Sequence, residues 1–291
     1  MSTVAKVATP DRSLHRGRLL ILLTGILWSL AGVFIKSLDL HPLTIVFYRS
    51  LFASLFFFLF VRRGGWGVSV PLLVSAVSYT AAISAFVWAN KLTTAANAIV
   101  LQYAAPIFIF LFVRLIFREA ISRPDLITLL FGMAGVSAIF AGSAGQPDSA
   151  GVMVAILSGF LFAIYMTNLR FLKEISPAYL TWVNNLACWL ALLPLVWGEL
   201  SLSAREVLVL AVMGVVQLGI PYFLFSKGLE AISLQEASLI VLIEPVLNPL
   251  WVALLFGEVP SPATFIGGGM ILLSLGCRYV WLLAGSSKKT T

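Results

Sequence analysis

Long apolar stretches, separated by links often under ten residues, dominate this chain and constrain its fold more than any other feature. A helix rises about 1.5 Å per residue, so crossing a hydrocarbon layer of about 30 Å takes about 20 mostly apolar residues. Ten stretches satisfy that rule: 19–37, 43–61, 69–88, 95–117, 125–142, 150–170, 178–197, 206–226, 236–256 and 263–283. Composition agrees. Of 291 residues, 60% are hydrophobic and 11% are charged, against about 25% charged in a soluble domain. Such a chain cannot cover its surface with polar groups, so the lipid bilayer is its expected partner. The expected fold class is an all-α integral membrane protein of ten transmembrane helices. The basic head "MSTVAKVATPDRSLHRGR" (1–18) reads as a cytoplasmic tail rather than a signal peptide, and 285–291 as a second tail.

The net charge of +7 would suit a nucleic-acid partner, but its distribution argues against one. With the N-terminus inside, Lys6, Arg12, Arg16, Arg18, Arg62, Arg63, Arg114, Arg118, Arg123, Arg170, Lys173, Lys227, Arg278, Lys288 and Lys289 fall on the cytoplasmic side, and Lys36, Lys91 and Arg205 on the other. Fifteen basic residues against three is the bias that orients membrane proteins. It predicts both termini in the cytoplasm. The remaining basic residue, Arg49, lies inside the second span.

The chain repeats itself. "AANAIVLQYAAPIFIFLFVRLIFRE" (95–119) aligns without gaps on "LQEASLIVLIEPVLNPLWVALLFGE" (234–258), matching Ala98 with Ala237, Pro106 with Pro245, Phe117 with Phe256 and Glu119 with Glu258. "GILWSLAGVFIKSLDLHPLTIVFYR" (25–49) rhymes with "GFLFAIYMTNLRFLKEISPAYLTWVN" (159–184) after one insertion. Each copy, 19–148 and 149–284, therefore carries five spans, and an odd number turns the second copy upside down in the membrane. Inverted repeats of this kind build transporters that alternate access around a midplane site.

These residues resemble the drug/metabolite transporter superfamily, and each copy looks like the EamA-type five-helix unit. The resemblance covers about 19–283. Its carriers are "FYR" (47–49), the Ala–x8–Pro–x12–Glu register shared by spans four and nine, and "IEPVLNPLWVALLFGE". It implies secondary transport of small solutes across a bacterial inner membrane, often metabolite or amino-acid export, with the aromatic amino-acid exporters among similar members.

No catalytic, metal or cofactor constellation is legible. His15 lies in the tail and His41 in a short link, and no phosphate-binding loop or HExxH is present. Cys188 and Cys277 lie in apolar spans without metal-ligand spacing and read as small buried hydrophobes. "GMAGVSAIFAGSAG" in span five and "GGG" (267–269) in span ten read as helix-packing surfaces.

Polar and bent positions at membrane depth are better guides, because freed backbone groups must face protein or a cavity. Trp28 and Tyr79 lie in spans one and three, Gln102, Tyr103 and Pro106 in span four, Tyr165 and Asn168 in span six, and Asn184 and Asn185 in span seven. Span eight adds Gln217, Gly219, Pro221 and Tyr222, and span nine Glu244, Pro245, Asn248 and Pro249. Aromatic rings and amides bind organic solutes by stacking and neutral hydrogen bonds. Glu244 is the one acid expected at mid-depth. A charge there costs about 2.5–3.5 kcal/mol, so the carboxyl is neutral or paired, with Asn248 one turn on. It reads as a contact for a substrate amine, a proton site or a lock between helices. Arg49 suits a substrate carboxylate or ties helices together. Trp66, Trp197 and Trp281 read as interface anchors, and Glu119 and Glu258 as capping or link contacts.

The expected function is secondary transport of small organic metabolites, amino acids first, outward through a central cavity. Proton-coupled multidrug efflux also suits Glu244 and the aromatics. A membrane enzyme or sensor is the alternative of another class, but no clustered nucleophiles or acid–base pairs support it.

Overall fold

A computed structural model describes residues 10–61, 69–118, 123–143, 146–172, 174–232, 237 and 240–287. The described residues are helical and contain no strand. Helices fall within each of the ten stretches. They are α1 (Pro10–Ser29), α2 (Ala31–Lys36), α3 (Pro42–Phe58), α4 (Val70–Leu92), α5 (Ala95–Gln102), α6 (Ala105–Leu115), α7 (Arg123–Ser143), α8 (Ser149–Asn168), α9 (Pro177–Val196), α10 (Ala204–Val212), α11 (Ile220–Gly228), α12 (Glu244–Phe256) and α13 (Pro262–Ser287). A π-helical segment, Met213–Gly219, joins α10 to α11. Six helical segments are long and apolar enough to cross a membrane, and Pro42–Phe58, Leu126–Gly142 and Glu244–Phe256 are shorter apolar helices. Trp66, Glu119, Arg62, Arg63, Lys173 and the outermost tail residues lie outside the described residues.

Starts and breaks follow from the sequence. Ser69, Thr94, Ser176 and Ser203 each cap a helix by accepting from the backbone N–H three residues on. Pro42 and Pro177 stand in first turns, where their missing N–H costs nothing. Three spans are broken near their middles: at Leu30, at Tyr103–Ala104, and at 242–243. Pro106 and Pro245 open the second halves of the last two, as their missing donors and fixed φ require.

The packing has an internal exchange symmetry. Shifting each span by five positions converts one helix pair into another: α4 packs on α8, and its counterpart α11 packs on α1. Likewise α5 and α6 pack on α8, while α12 packs on α1 and α2. The pairs α3–α9, α7–α13 and α5–α12 map onto themselves. Glycines at matching positions enforce the same approach in each copy. A Cβ at Gly25 would lie 2.8 Å from Ile243 Cγ2, and one at Gly159 would lie 2.6 Å from Leu101 O, its counterpart contact. On the exchange axis, a Cβ at Gly135 would lie 2.5 Å from Gly267 O, so the α7–α13 crossing requires bare backbone there.

One end gathers the links around Lys36, Lys91, Asp148, Glu199 and Glu258, which hydrogen bonds tie across helices. We call it the Glu258 end. The other, Arg-rich end holds Arg114, Arg118, Arg123 and Arg170, with the Arg170 guanidinium 4.1 Å from the Phe117 ring centre. The core lies between the repeats and includes Ile35, Ile45, Val46, Ile99 and Leu101. Large apolar side chains such as Val77, Leu130, Leu195, Leu208, Leu254 and Leu273 point outward, as a lipid-facing surface requires.

Candidate functional site

Broken helices bring the mid-depth polar groups together. Tyr103 caps the end of α5, and Glu244 opens α12 after the turn at 242–243. The Tyr103 hydroxyl donates to Glu244 Oε2 at 2.6 Å and lies 3.5 Å from Val241 O. Pro245 explains the second contact. It has no N–H for the carbonyl four residues back, so the Val241 oxygen is left to find another donor. Glu244 as a residue is half-buried.

Around this pair stand two aromatic couples, on helix pairs that the exchange of repeats relates. Trp28 on α1 meets Tyr222 on α11 edge-on at 5.2 Å between ring centres, and Tyr79 on α4 meets Tyr165 on α8 at 5.5 Å. Gln217, in the π-helical turn, donates to Trp28 O at 3.3 Å. Tyr79 donates to Asn185 Oδ1 at 3.2 Å, and Ser75 donates to Asn184 Oδ1 at 3.1 Å. Arg49 lies between the couples. It is 4% exposed, and its Nε–H has no hydrogen-bond partner among the described residues. Tyr79, Tyr222 and Cys188 are its electrostatic neighbours. Tyr222 in turn has both Arg49 and Glu244 within electrostatic reach. One cation and one acid, far apart in sequence, thus act on a single phenol.

Tyr222 also lines a cavity of about 390 Å³ with Phe57, Phe60, Thr181, Phe223 and Ser226, together with the start of α9 at Ser176–Ala178. Most of these residues lie towards the Arg-rich ends of α3, α9 and α11, so the cavity sits nearer that end, with Tyr222 on its wall.

Other expected site residues are placed elsewhere. Gln102 donates to Ser158 Oγ at 3.1 Å, and Ser158 donates to Ala82 O, which ties α5, α8 and α4 together. Asn168 donates to Pro71 O at 2.7 Å near the Arg-rich end. Asn248 is fully buried and faces Gly32, where an added Cβ would lie 2.6 Å from its Oδ1. Neither of its amide atoms has a hydrogen-bond partner among the described residues. The partner of Glu244 is therefore Tyr103 of the other repeat rather than Asn248 one turn away. The sequence alone predicts a capping or link role for Glu258. Glu258 Oε1 does cap a helix, but one 163 positions away, by accepting from Ala95 N–H. Nothing in sequence spacing signals that.

The sequence matches the EamA-like transporter family twice, over residues 15–141 and 149–278. The chain belongs to that family. Its two matches coincide with the two halves exchanged by the packing symmetry. A transporter of Archaeoglobus fulgidus is 28% identical over 264 residues, covering 90% of this chain and 95% of that protein. The pseudopaline exporter CntI of Pseudomonas aeruginosa is 29% identical over 273 residues, with the same coverage. One crystal structure superimposes with a TM-score of 0.63 at 18% identity, covering 93% of this chain and 98% of the other, which shows a shared fold. This transporter is thus an integral membrane protein of two repeated units, with its polar centre where their broken helices meet.

Proposed function

We propose that this transporter exports small organic metabolites, amino acids first, by alternating access across ten membrane spans in two inverted copies. Both termini lie in the cytoplasm, so the Arg-rich end faces inward. The observation that carries this reading is the placement of Tyr222. It lines the cavity nearer the Arg-rich end, packs on Trp28, and stands within electrostatic reach of both Arg49 and Glu244. A zwitterion fits such a centre. Its carboxylate suits the guanidinium fork, its ammonium suits Glu244, and its side chain suits the aromatic couples. A polyanion would ask for several cations, and the centre holds one. A cavity open on the inward side supports loading from the cytoplasm, and the similarity to a named exporter of a small metabolite supports the outward direction.

The test is flux in liposomes of purified protein, with labelled amino acids, nucleotide sugars and cationic drugs, with and without a proton gradient. Neutral amino acids should move without ATP. Movement of nucleotide sugars and of no amino acid would defeat this choice of cargo.

A further inference from the structure

A transporter that alternates access, as proposed above, must close one end while the other is open. Two bodies would move past each other: α1, α2, α11 and α12 on one side, and α4, α5, α6 and α8 on the other. Each body is internally packed. Among the described residues they meet chiefly through α12 against α5 and α2 against α4, the half-helices nearest the Glu258 end.

Glu258 stands at that seam. Gly257, with φ 68°, ends α12 in a left-handed turn and directs the next residue back over the bundle. Glu258 Oε2 then lies 2.6 Å from Lys36 Nζ, at the end of α2. Its Oε1 accepts from the Ala95 N–H at 2.5 Å, the first residue of α5. Lys36 also donates to Thr93 O at 3.0 Å, and Lys91 donates to Leu38 O. The Lys36 and Glu258 side chains are 19% and 22% exposed, so the pair is shielded from water yet close enough to it to rehydrate when broken. Directly beneath, Val252 and Asn248 close on Gly32, where a Cβ would lie 2.9 Å from Val252 Cγ2. The opposite end holds the cavity beside Tyr222.

We propose that Glu258 is a gate residue: its carboxylate, shared between Lys36 and the Ala95 N–H, latches the Glu258 end shut while the cavity is open at the Arg-rich end. An interaction made in one state and lost in the other shifts the balance between them by its full strength. A charge-assisted bond on each carboxylate oxygen makes this one strong. Release of cargo at the Glu258 end requires the carboxylate to let go of both partners.

The test uses Val252→Cys, in protein whose Cys188 and Cys277 are replaced by alanine, as a reporter beneath the latch. It is labelled in membranes with an impermeant thiol reagent from the Glu258 side. Glu258→Ala should raise the labelling rate about tenfold. Lys36→Met, which removes the ion pair and leaves the Ala95 bond, should raise it less. Placing cysteines at positions 36 and 258 and joining them with a short cleavable bis-thiosulfonate should restore protection of the reporter, and reduction of the bridge should abolish it. Unchanged labelling in both Glu258→Ala and Lys36→Met overturns the proposal, as does labelling that persists after cross-linking. No cargo is needed for this readout. A shifted labelling rate in protein that moves no amino acid would uphold the latch and count against the cargo alone.

Discussion

Tyr103 donates its hydroxyl proton to Glu244 at 2.6 Å, although 141 positions separate the two residues in the chain. Each stands at the break of its own helix, and the two breaks occupy equivalent places in the two repeats. The charge is not duplicated: the repeat counterpart of Glu244 is Ala105. One half of the pseudo-symmetric pair therefore supplies the acid and the other supplies its donor.

Glu244→Gln keeps an acceptor for Tyr103 but cannot exchange a proton. It should abolish gradient-driven accumulation and flatten the dependence of flux on pH, while downhill exchange continues. Glu244→Leu removes the 2.6 Å hydrogen bond that the Tyr103 hydroxyl donates. A lost hydrogen bond costs about 0.5–1.5 kcal/mol, so folded yield should fall as well. Flux against pH for wild type and both variants, with yield as control, checks this. A wild-type profile in both variants would remove every role assigned to the carboxylate.

Arg49 is buried with its Nε–H unpaired among the described residues, so it has donor capacity to spare for a ligand. Arg49→Lys keeps the charge and loses the planar fork. The apparent KM for amino acids should rise about tenfold, the equivalent of about 1.4 kcal/mol. Amines lacking a carboxylate should be handled as before. Competition of each class against a labelled substrate separates this from a structural role, which would weaken both equally.

The α7–α13 crossing depends on bare backbone at Gly135 and Gly267. Gly135→Val forces a side chain into a carbonyl oxygen of the partner helix and should destabilise the protein by about 1–3 kcal/mol. Gly269 has nothing within 4 Å of an added Cβ, so Gly269→Ala should be neutral or mildly stabilising. Thermal unfolding in detergent, run on the two variants side by side, gives the comparison.

Topology is open to a separate check. Residues 62–68 and 118–124 are expected in the cytoplasm, and 143–149 and 257–262 outside. Single cysteines in these links, in protein lacking Cys188 and Cys277, should react with an impermeant reagent in intact cells only at the second pair. Labelling of 62–68 from outside with protection of 143–149 would reverse the orientation.

The sequence by itself determined the solvent, the class and the repeat. Sixty per cent apolar residues in stretches of about 20 leave a membrane helix bundle as the one way to satisfy the backbone. Helix formation is local, so the ten stretches are occupied by helices. The prolines at 106 and 245 announced breaks because a missing N–H acts on the preceding turn alone. The shared register of spans four and nine announced the duplication. Pair identities were decided by tertiary structure. Glu244 has a residue of suitable chemistry one turn away in Asn248, yet the breaks aim it at Tyr103 across the repeats. Glu258 looked like a local cap and instead joins Lys36 to the start of α5. Arg49 and Glu244 both come within electrostatic reach of Tyr222 only through the tertiary packing of helices distant in sequence. Local periodicity sets which face a helix buries. It carries no information about which helix arrives on that face, and the site is made of those arrivals.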